Sequence, residues 1–290
     1  MRWLFWALLL NLWAAHASAR VERFALIMGN EQGAANQAHL RYPLSDASRL
    51  YDVLRDLGGF QPVDMVFLRN ESADVARRTL ISLNDRIRHA RELPNTQVML
   101  VVYYSGHGST ESLQLGATEL GLTELALLVR GSAADFRVLI LDACRSGNLT
   151  TRTKGGRVVD AFALPEEELE GAGLAYLTAS SADEDAQESD ELKGSFFTQA
   201  FVSALLGAAD DNRDGAVSLD EAYRYAYEST LRATSSTRAG AQHPTFRYAG
   251  WRDLFPAVAG GEPRAGAPCR GLRAARRGRG RRAFVASEIA

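Results

Sequence analysis

Two apolar runs, "VVYYSGHGST" (residues 101–110) and "LILDACRSGN" (residues 139–148), decide the fold class of this chain. Both carry apolar residues at consecutive positions, which is the pattern of a strand covered on both faces of a parallel sheet. Each run ends at a reactive side chain, His107 in the first and Cys144 in the second. If the two strands are neighbours, both residues lie at the carboxyl edge of the sheet, where open parallel sheets bind their ligands.

The rest of the chain alternates between strand and helix patterns. This alternation predicts an α/β fold, an open and mostly parallel sheet with helices on both faces. Ser45 and Ser72 precede helical patterns and are the predicted N-caps of the first two helices. We predict strands over 23–29, 64–69, 96–105, 137–143 and 173–180, and helices over 45–59, 73–90, 122–131, about 195–208 and 219–233.

The 290 residues carry a net charge of −2, so the chain as a whole is not built to bind nucleic acid. Residues 1–19 combine Arg2, a short apolar run and the small residues "ASA", which is typical of a secretory signal peptide. We therefore expect an exported protein, periplasmic or extracellular, without a stable membrane span after cleavage; an uncleaved anchor is the alternative. The predicted domain covers 20–256, and the Arg-rich stretch 257–290 is expected to be a disordered tail.

The joint placement of His107 and Cys144 favours nucleophilic catalysis. An imidazole beside a thiol takes up its proton and favours the thiolate, which is the reactive form of cysteine. The backbone amides of Gly108 and Cys144 are candidate donors to an oxyanion. Taken singly, a histidine and a cysteine in apolar surroundings are more often core residues, and a bridge between Cys144 and Cys269 is a further alternative.

The motifs "YYSGHG" and "DACRSG" together resemble the caspase and metacaspase superfamily of cysteine peptidases, over about residues 22–250. Asp142 and Ser146 depart from the caspase signature around the cysteine and are similar to the metacaspase and prokaryotic caspase-like branch. The resemblance implies a cysteine endopeptidase with His107 and Cys144 as its catalytic dyad, acting on peptides or proteins. It also implies that the segment after the cysteine, 145–172, is a place for self-cleavage.

Asp142 lies two positions before Cys144, so a strand directs both to the same face. A carboxylate beside the substrate pocket attracts a cationic side chain and repels an acidic one. The resemblance assigns Asp46 and Ser105 to the same pocket. We therefore expect cleavage after Arg or Lys, which makes Arg152, Lys154 and Arg157 of the loop candidate processing sites. The alternatives are a surface position in a first helical turn for Asp46 and a buried cap of a backbone amide for Asp142.

The stretch "DDNRDGAVSLDE" (residues 210–221) matches the twelve-residue calcium loop of an EF-hand. Gly215 stands at the sixth position, where that loop requires glycine. The predicted Ca²⁺ ligands are Asp210, Asn212, Asp214, Ala216 through its carbonyl, Ser218 and Glu221. The alternative is a helix–helix connector that uses the same turn chemistry without metal. A non-catalytic caspase-like binding or signalling module, stabilised by calcium, is the alternative function for the whole chain.

Overall fold

A computed structural model describes residues 20–34, 37–145, 173–181, 184 and 186–249 of the chain. The predicted signal peptide, the predicted processing sites and the predicted basic tail lie outside these residues. For Cys144 and Arg145 at the end of one strand, and for residues 248 and 249 at the end of another, the backbone is described and the side chain is not.

The strands form a mixed, mostly parallel sheet, as the alternation of patterns predicted. In spatial order, the main path of the sheet is β10-β7-β6-β3-β1-β2, and only the β10–β7 pair on this path is antiparallel. The strands are β1 (Arg20–Asn30), β2 (Met65–Arg69), β3 (Thr96–Gly108), β4 (Ser112–Leu115), β5 (Thr118–Gly121), β6 (Phe136–Arg145), β7 (Leu174–Thr178), β8 (Glu188–Ser189), β9 (Gly194–Ser195) and β10 (Thr245–Ala249).

The helices lie close to their predicted positions. They are α1 (Pro43–Asp56), α2 (Ala73–Arg91), α3 (Leu122–Arg130), α4 (Phe196–Ser203) and α5 (Leu219–Thr234), with a π-helical turn over Ala204–Ala208 after α4. Ser72 caps α2 by accepting a hydrogen bond from the amide of Val75. The predicted cap Ser45 is wrong, because α1 already begins at Pro43, whose fixed φ suits the first helical position.

Helices cover both faces of the sheet and bury it completely at its centre. On one face, α1 and α4 contribute Leu50 and Phe197 to the core; on the other, α2 and α3 contribute Leu83 and Leu125. Every residue of β3 from Val98 to Gly108 is buried. The consecutive apolar positions of that strand follow from its central place between two helical layers.

Four pairings between described strands were not predicted. β4 pairs with the end of β3 and with β5, the two-residue strands β8 and β9 pair with each other, and β10 pairs with β7 as an antiparallel edge strand. Within the described ranges, no helix is both long and apolar enough to cross a membrane.

Candidate active site

The ends of β3 and β6 form the centre of the candidate site. The two strands are parallel neighbours, and their register pairs Ser105 with Asp142 and His107 with Cys144. The prediction that His107 and Cys144 meet at one edge of the sheet is therefore supported by the backbone. The side chain of Cys144 lies outside the described part of the structure.

The imidazole of His107 has a defined hydrogen-bonding state. Its Nε2 lies 2.7 Å from the carbonyl oxygen of Ala38, and because a carbonyl only accepts, Nε2 carries the hydrogen. Its Nδ1 is buried and has no hydrogen-bond partner among the described residues. Burial lowers the pKa of His107, against the opposing effect of the Ala38 carbonyl. The neutral ring therefore presents a basic nitrogen at Nδ1.

Gly106 permits the close packing that precedes His107. A Cβ at this position would lie 2.5 Å from the hydroxyl of Tyr104 and 2.6 Å from the carbonyl oxygen of Asn30. The same hydroxyl lies 2.6 Å from the carbonyl oxygen of His107, which holds the backbone of the histidine in place. Gly108, a predicted oxyanion donor, ends β3 in register with Arg145 of β6 and Leu113 of β4.

Two buried carboxylates, Asp46 and Asp142, lie behind this edge of the sheet and are bridged by Ser195. The Ser195 amide donates to Asp46 Oδ2 at 2.8 Å, and the Ser195 hydroxyl donates to Asp142 Oδ2. Asp46 is 0% and Asp142 is 4% exposed, so the surface position considered for Asp46 is wrong. Asp142 does accept a backbone hydrogen bond, from Thr198, as the alternative for this residue proposed.

Hydroxyl groups supply further donors to Asp142. The Thr198 hydroxyl donates to Asp142 Oδ2, and Tyr103 lies 2.7 Å from the same hydroxyl oxygen. Since Thr198 gives its single hydrogen to the carboxylate, Tyr103 donates to Thr198. The result is a buried chain of neutral donors, from Tyr103 through Thr198 to Asp142.

The electrostatics of the pair favour protonation of Asp46. Burial, and then the negative charge of Asp142, raise the pKa of Asp46 from 3.8 to about 8. The Ser195 amide, the charge of Arg49 and the side-chain amide of Gln199 act in the opposite direction. Burial also raises the pKa of Asp142, against its hydrogen bonds from Ser195 and Thr198. Two carboxylates this close do not both ionise freely at neutral pH.

A small pocket lies directly above these groups. It contains two of the three predicted pocket residues, Ser105 and Asp142, whereas Asp46 lies deeper, behind Ser195, and is not part of its lining. The lining residues are Leu40, Pro43, Ser105, Gly106, Asp142, Ala186, Gln187, Glu188 and Ser195.

Sequence reasoning missed Glu188 and Ser195, which line this pocket. Glu188 is partly buried and accepts backbone hydrogen bonds from Arg41 and Tyr42; its pKa is raised, mainly by burial. Ser195 is the N-cap of α4 and accepts from the Thr198 amide at 3.0 Å. A serine before a helical pattern is a recognisable cap signal, but nothing local in the acidic segment 181–194 distinguishes Glu188.

Side chains from the segment that follows α5 hold the wall of the pocket. The amide of Gln187 donates to Gln242 Oε1 at 2.9 Å, and Gln242 Nε2 donates to the carbonyl of Ala179 at 2.7 Å. The Thr237 hydroxyl donates to Gln187 Oε1 at 2.6 Å. The segment after α5 therefore fixes the position of the loop that carries Glu188.

The predicted calcium loop is present as a connector between the π-helical turn and α5. Its first three predicted side-chain ligands each accept a backbone amide of the loop, and the last belongs to a capping box with Ser218 at the start of α5. Among the described residues, no three acidic, histidine or cysteine side chains lie close enough to hold a metal ion together.

Comparison with known proteins gives one family match. The family model described as "Caspase domain" matches residues 22–255, which includes both strand ends and the pocket. No curated protein matches the sequence.

Proposed function

The chain belongs to the caspase-domain family of cysteine peptidases, and from this membership we propose that it is an endopeptidase with a His107–Cys144 dyad that cleaves after Arg or Lys. The single observation that carries the proposal is the parallel register of His107 with Cys144. The Nδ1 atom of the His107 imidazole, which has no hydrogen-bond partner among the described residues, agrees with it. The substrates of the family are peptides and proteins. Beyond family membership, we propose the dyad, the specificity and the metacaspase-like branch.

In the proposed reaction, the Ala38 carbonyl holds Nε2–H of His107 and leaves Nδ1 to take the proton of the Cys144 thiol. The thiolate sulfur attacks the scissile carbonyl, and the amides of Gly108 and Cys144 are the proposed donors to the oxyanion. When the C–N bond breaks, the imidazolium gives its proton to the leaving amine. Water then hydrolyses the thioester, which releases the acid product and restores the thiol.

The pocket supports a preference for a basic side chain at the cleaved bond. Asp142 and Glu188 line it, and every described donor to Asp142 is a neutral hydroxyl or amide, so no cation in the described part neutralises that carboxylate directly. A guanidinium or ammonium group in the pocket stabilises the ionised form of such a carboxylate. An acidic side chain would add a further negative charge to a buried, already negative site.

The same specificity supports self-processing. Arg152, Lys154 and Arg157 follow Cys144 in a segment outside the described residues. We propose that the enzyme cleaves itself at one of these basic residues. Intact mass measurement of the purified protein beside Cys144→Ala tests this proposal, and two uncleaved chains whose masses differ only by the sulfur atom of Cys144 contradict it. Export through residues 1–19 stays a prediction.

The decisive experiment compares peptides that differ only in charge at the cleaved position. Fluorogenic peptides ending in Arg, Lys, Asp or citrulline are offered to the wild type, Cys144→Ala and Asp142→Asn. Citrulline has the shape of arginine without its charge, so the Arg-to-citrulline ratio of kcat/KM isolates the electrostatic contribution. We expect cleavage after Arg and Lys, none with Cys144→Ala, and at least a tenfold lower ratio with Asp142→Asn, about 1.4 kcal/mol.

Other outcomes contradict the proposal. Cleavage after Asp overturns the specificity, and activity that survives in Cys144→Ala overturns the dyad. A folded wild type that binds Arg peptides without cleaving any of them favours the alternative, a non-catalytic binding module.

A further inference from the structure

The connector between the π-helical turn and α5 takes no part in the proposed peptidase chemistry. We propose that this loop, residues 210–221, is a Ca²⁺ site that stabilises the pair of helices α4 and α5. The inference does not depend on catalytic activity. It rests on a complete twelve-residue pattern of ligand types and on a buried oxygen of Asp210 that lacks a donor.

Asp210 stands at the first ligand position and has two different oxygens. Its Oδ2 accepts a hydrogen bond from the Gly215 amide at 3.2 Å, which closes the loop. Its Oδ1 is buried and has no hydrogen-bond partner among the described residues. A buried acceptor without a donor is unfavourable, and a cation satisfies it. This oxygen is the observation that separates a metal site from an ordinary turn.

The next two positions place oxygens around the same loop. Asn212 Oδ1 accepts from the Asp214 amide at 2.8 Å, and Asp214 Oδ1 accepts from the Ala216 amide at 2.8 Å. Gly215 has a φ of +82°, a conformation that L side chains rarely adopt, and it occupies the position where the calcium loop turns sharply. Val217 is 1% exposed and anchors the loop in the core.

Glu221, the last ligand position, is held by the helix cap. Its Oε2 accepts from the Ser218 amide at 2.9 Å and from the Ser218 hydroxyl at 2.8 Å. Asp210, Asp214 and Glu221 do not lie close enough in this structure to hold an ion together, so bidentate coordination of Ca²⁺ requires the Glu221 carboxylate to leave the capping box. Breaking the cap opposes binding, and we therefore expect a dissociation constant in the weak range of extracellular modules, about 0.1–1 mM.

A bound ion would act at a distance on the pocket. The loop follows α4, whose first turn holds Asp142 through Ser195 and Thr198. It precedes α5, after which Gln242 holds the Gln187 amide in the pocket wall. Fixing the angle between α4 and α5 would therefore stabilise both walls without any contact between the ion and the substrate.

Calorimetry tests the site directly. The full chain carrying Cys144→Ala, which excludes self-cleavage, is freed of metal with EDTA and titrated with CaCl₂; MgCl₂ is the comparison cation. The test variants are Asp210→Asn and Glu221→Gln, and Asp211→Asn is the matched control, because Asp211 is exposed and stands at a position that does not ligate. Both test variants keep a hydrogen-bond acceptor, so the loop closure and the capping box survive.

We expect one site for Ca²⁺, weaker binding of Mg²⁺, and a rise of about 3–10 °C in Tm at 10 mM Ca²⁺. Asp210→Asn and Glu221→Gln should each lower the affinity at least tenfold, while Asp211→Asn leaves it within about twofold. Absence of binding heat and of any Tm shift at 10 mM Ca²⁺ overturns the proposal. Unchanged affinity in both test variants also overturns it, since the ion would then bind elsewhere.

Discussion

Replacing Asp46 by asparagine should remove a pH-dependent part of the stability of this fold. Asp46 is completely buried, and its pKa is raised to about 8 by burial and by the charge of Asp142. Its carboxylate accepts hydrogen bonds from the Ser195 amide at 2.8 Å and from Gln199 Nε2 at 3.4 Å. Asparagine has nearly the same shape and keeps one acceptor oxygen, but it binds no proton in this pH range.

The sign and size of the effect follow from the difference in pKa between the folded and unfolded states. The unfolded carboxyl titrates near 3.8 and the folded one near 8, so between these values the folded protein holds a proton that the unfolded chain has lost. This contribution to stability is complete below about pH 4 and is lost as the pH rises through about 8, by about 1.4 kcal/mol per pH unit. Between pH 5 and pH 7, the free energy of unfolding of Asp46→Asn should therefore rise by about 3 kcal/mol relative to that of the parent.

Urea unfolding measures this difference. Both proteins carry Cys144→Ala and are unfolded at pH 5, 6, 7 and 8, with far-UV circular dichroism as the signal. Asp52→Asn is the control for the loss of a carboxylate from the same helix, because the Asp52 side chain is 51% exposed. A difference between Asp46→Asn and the parent that stays constant with pH, or that falls as the pH rises, would show that Asp46 is ionised in the folded protein and would refute the reasoning.

Two further substitutions test how tightly the carboxylate network is built. Gly194→Ala should destabilise the protein by about 1–3 kcal/mol in urea unfolding, because its Cβ would overlap the Asp46 carboxylate and lie 2.5 Å from Gln199 Nε2; an unchanged midpoint would mean that the network moves aside. Ser195→Ala should lower the free energy of unfolding by about 1–2 kcal/mol through loss of the α4 cap and of a donor to Asp142, whereas Ser203→Ala at the other end of α4 should have little effect; equal losses would contradict the role of the cap.

The sequence predicted best those features that depend on the residues of a single strand. Consecutive burial in β3 and β6 followed from runs of apolar residues, and the pairing of His107 with Cys144 followed from making those strands neighbours. Ser45 failed as a cap because two signals competed and the proline two positions earlier was the stronger one.

The parts that sequence reasoning missed depend on contacts between distant segments. Ser195 reaches Asp46 across 149 positions of the chain and Asp142 across 53. Glu188 lines the pocket because β8 and β9 fold the acidic segment back on itself, and a two-residue strand is too short to have a periodicity. Such contacts depend on the tertiary fold, so no local sequence pattern predicts them.

The way in which the fold holds Asp142 bears on what the pocket can bind. A buried carboxylate is usually paired with a cation, yet the described donors to Asp142 are the hydroxyls of Ser195 and Thr198 and the Thr198 amide, at the N-terminus of α4. The nearby cation, Arg49, contacts Asp46 instead, at 3.3 Å. Neutral donors and a helix N-terminus orient a carboxylate and favour its charge without cancelling that charge. Burial nevertheless raises the pKa of Asp142, so a cation in the pocket would favour its ionised form, and a basic substrate side chain is the partner that the proposed specificity supplies.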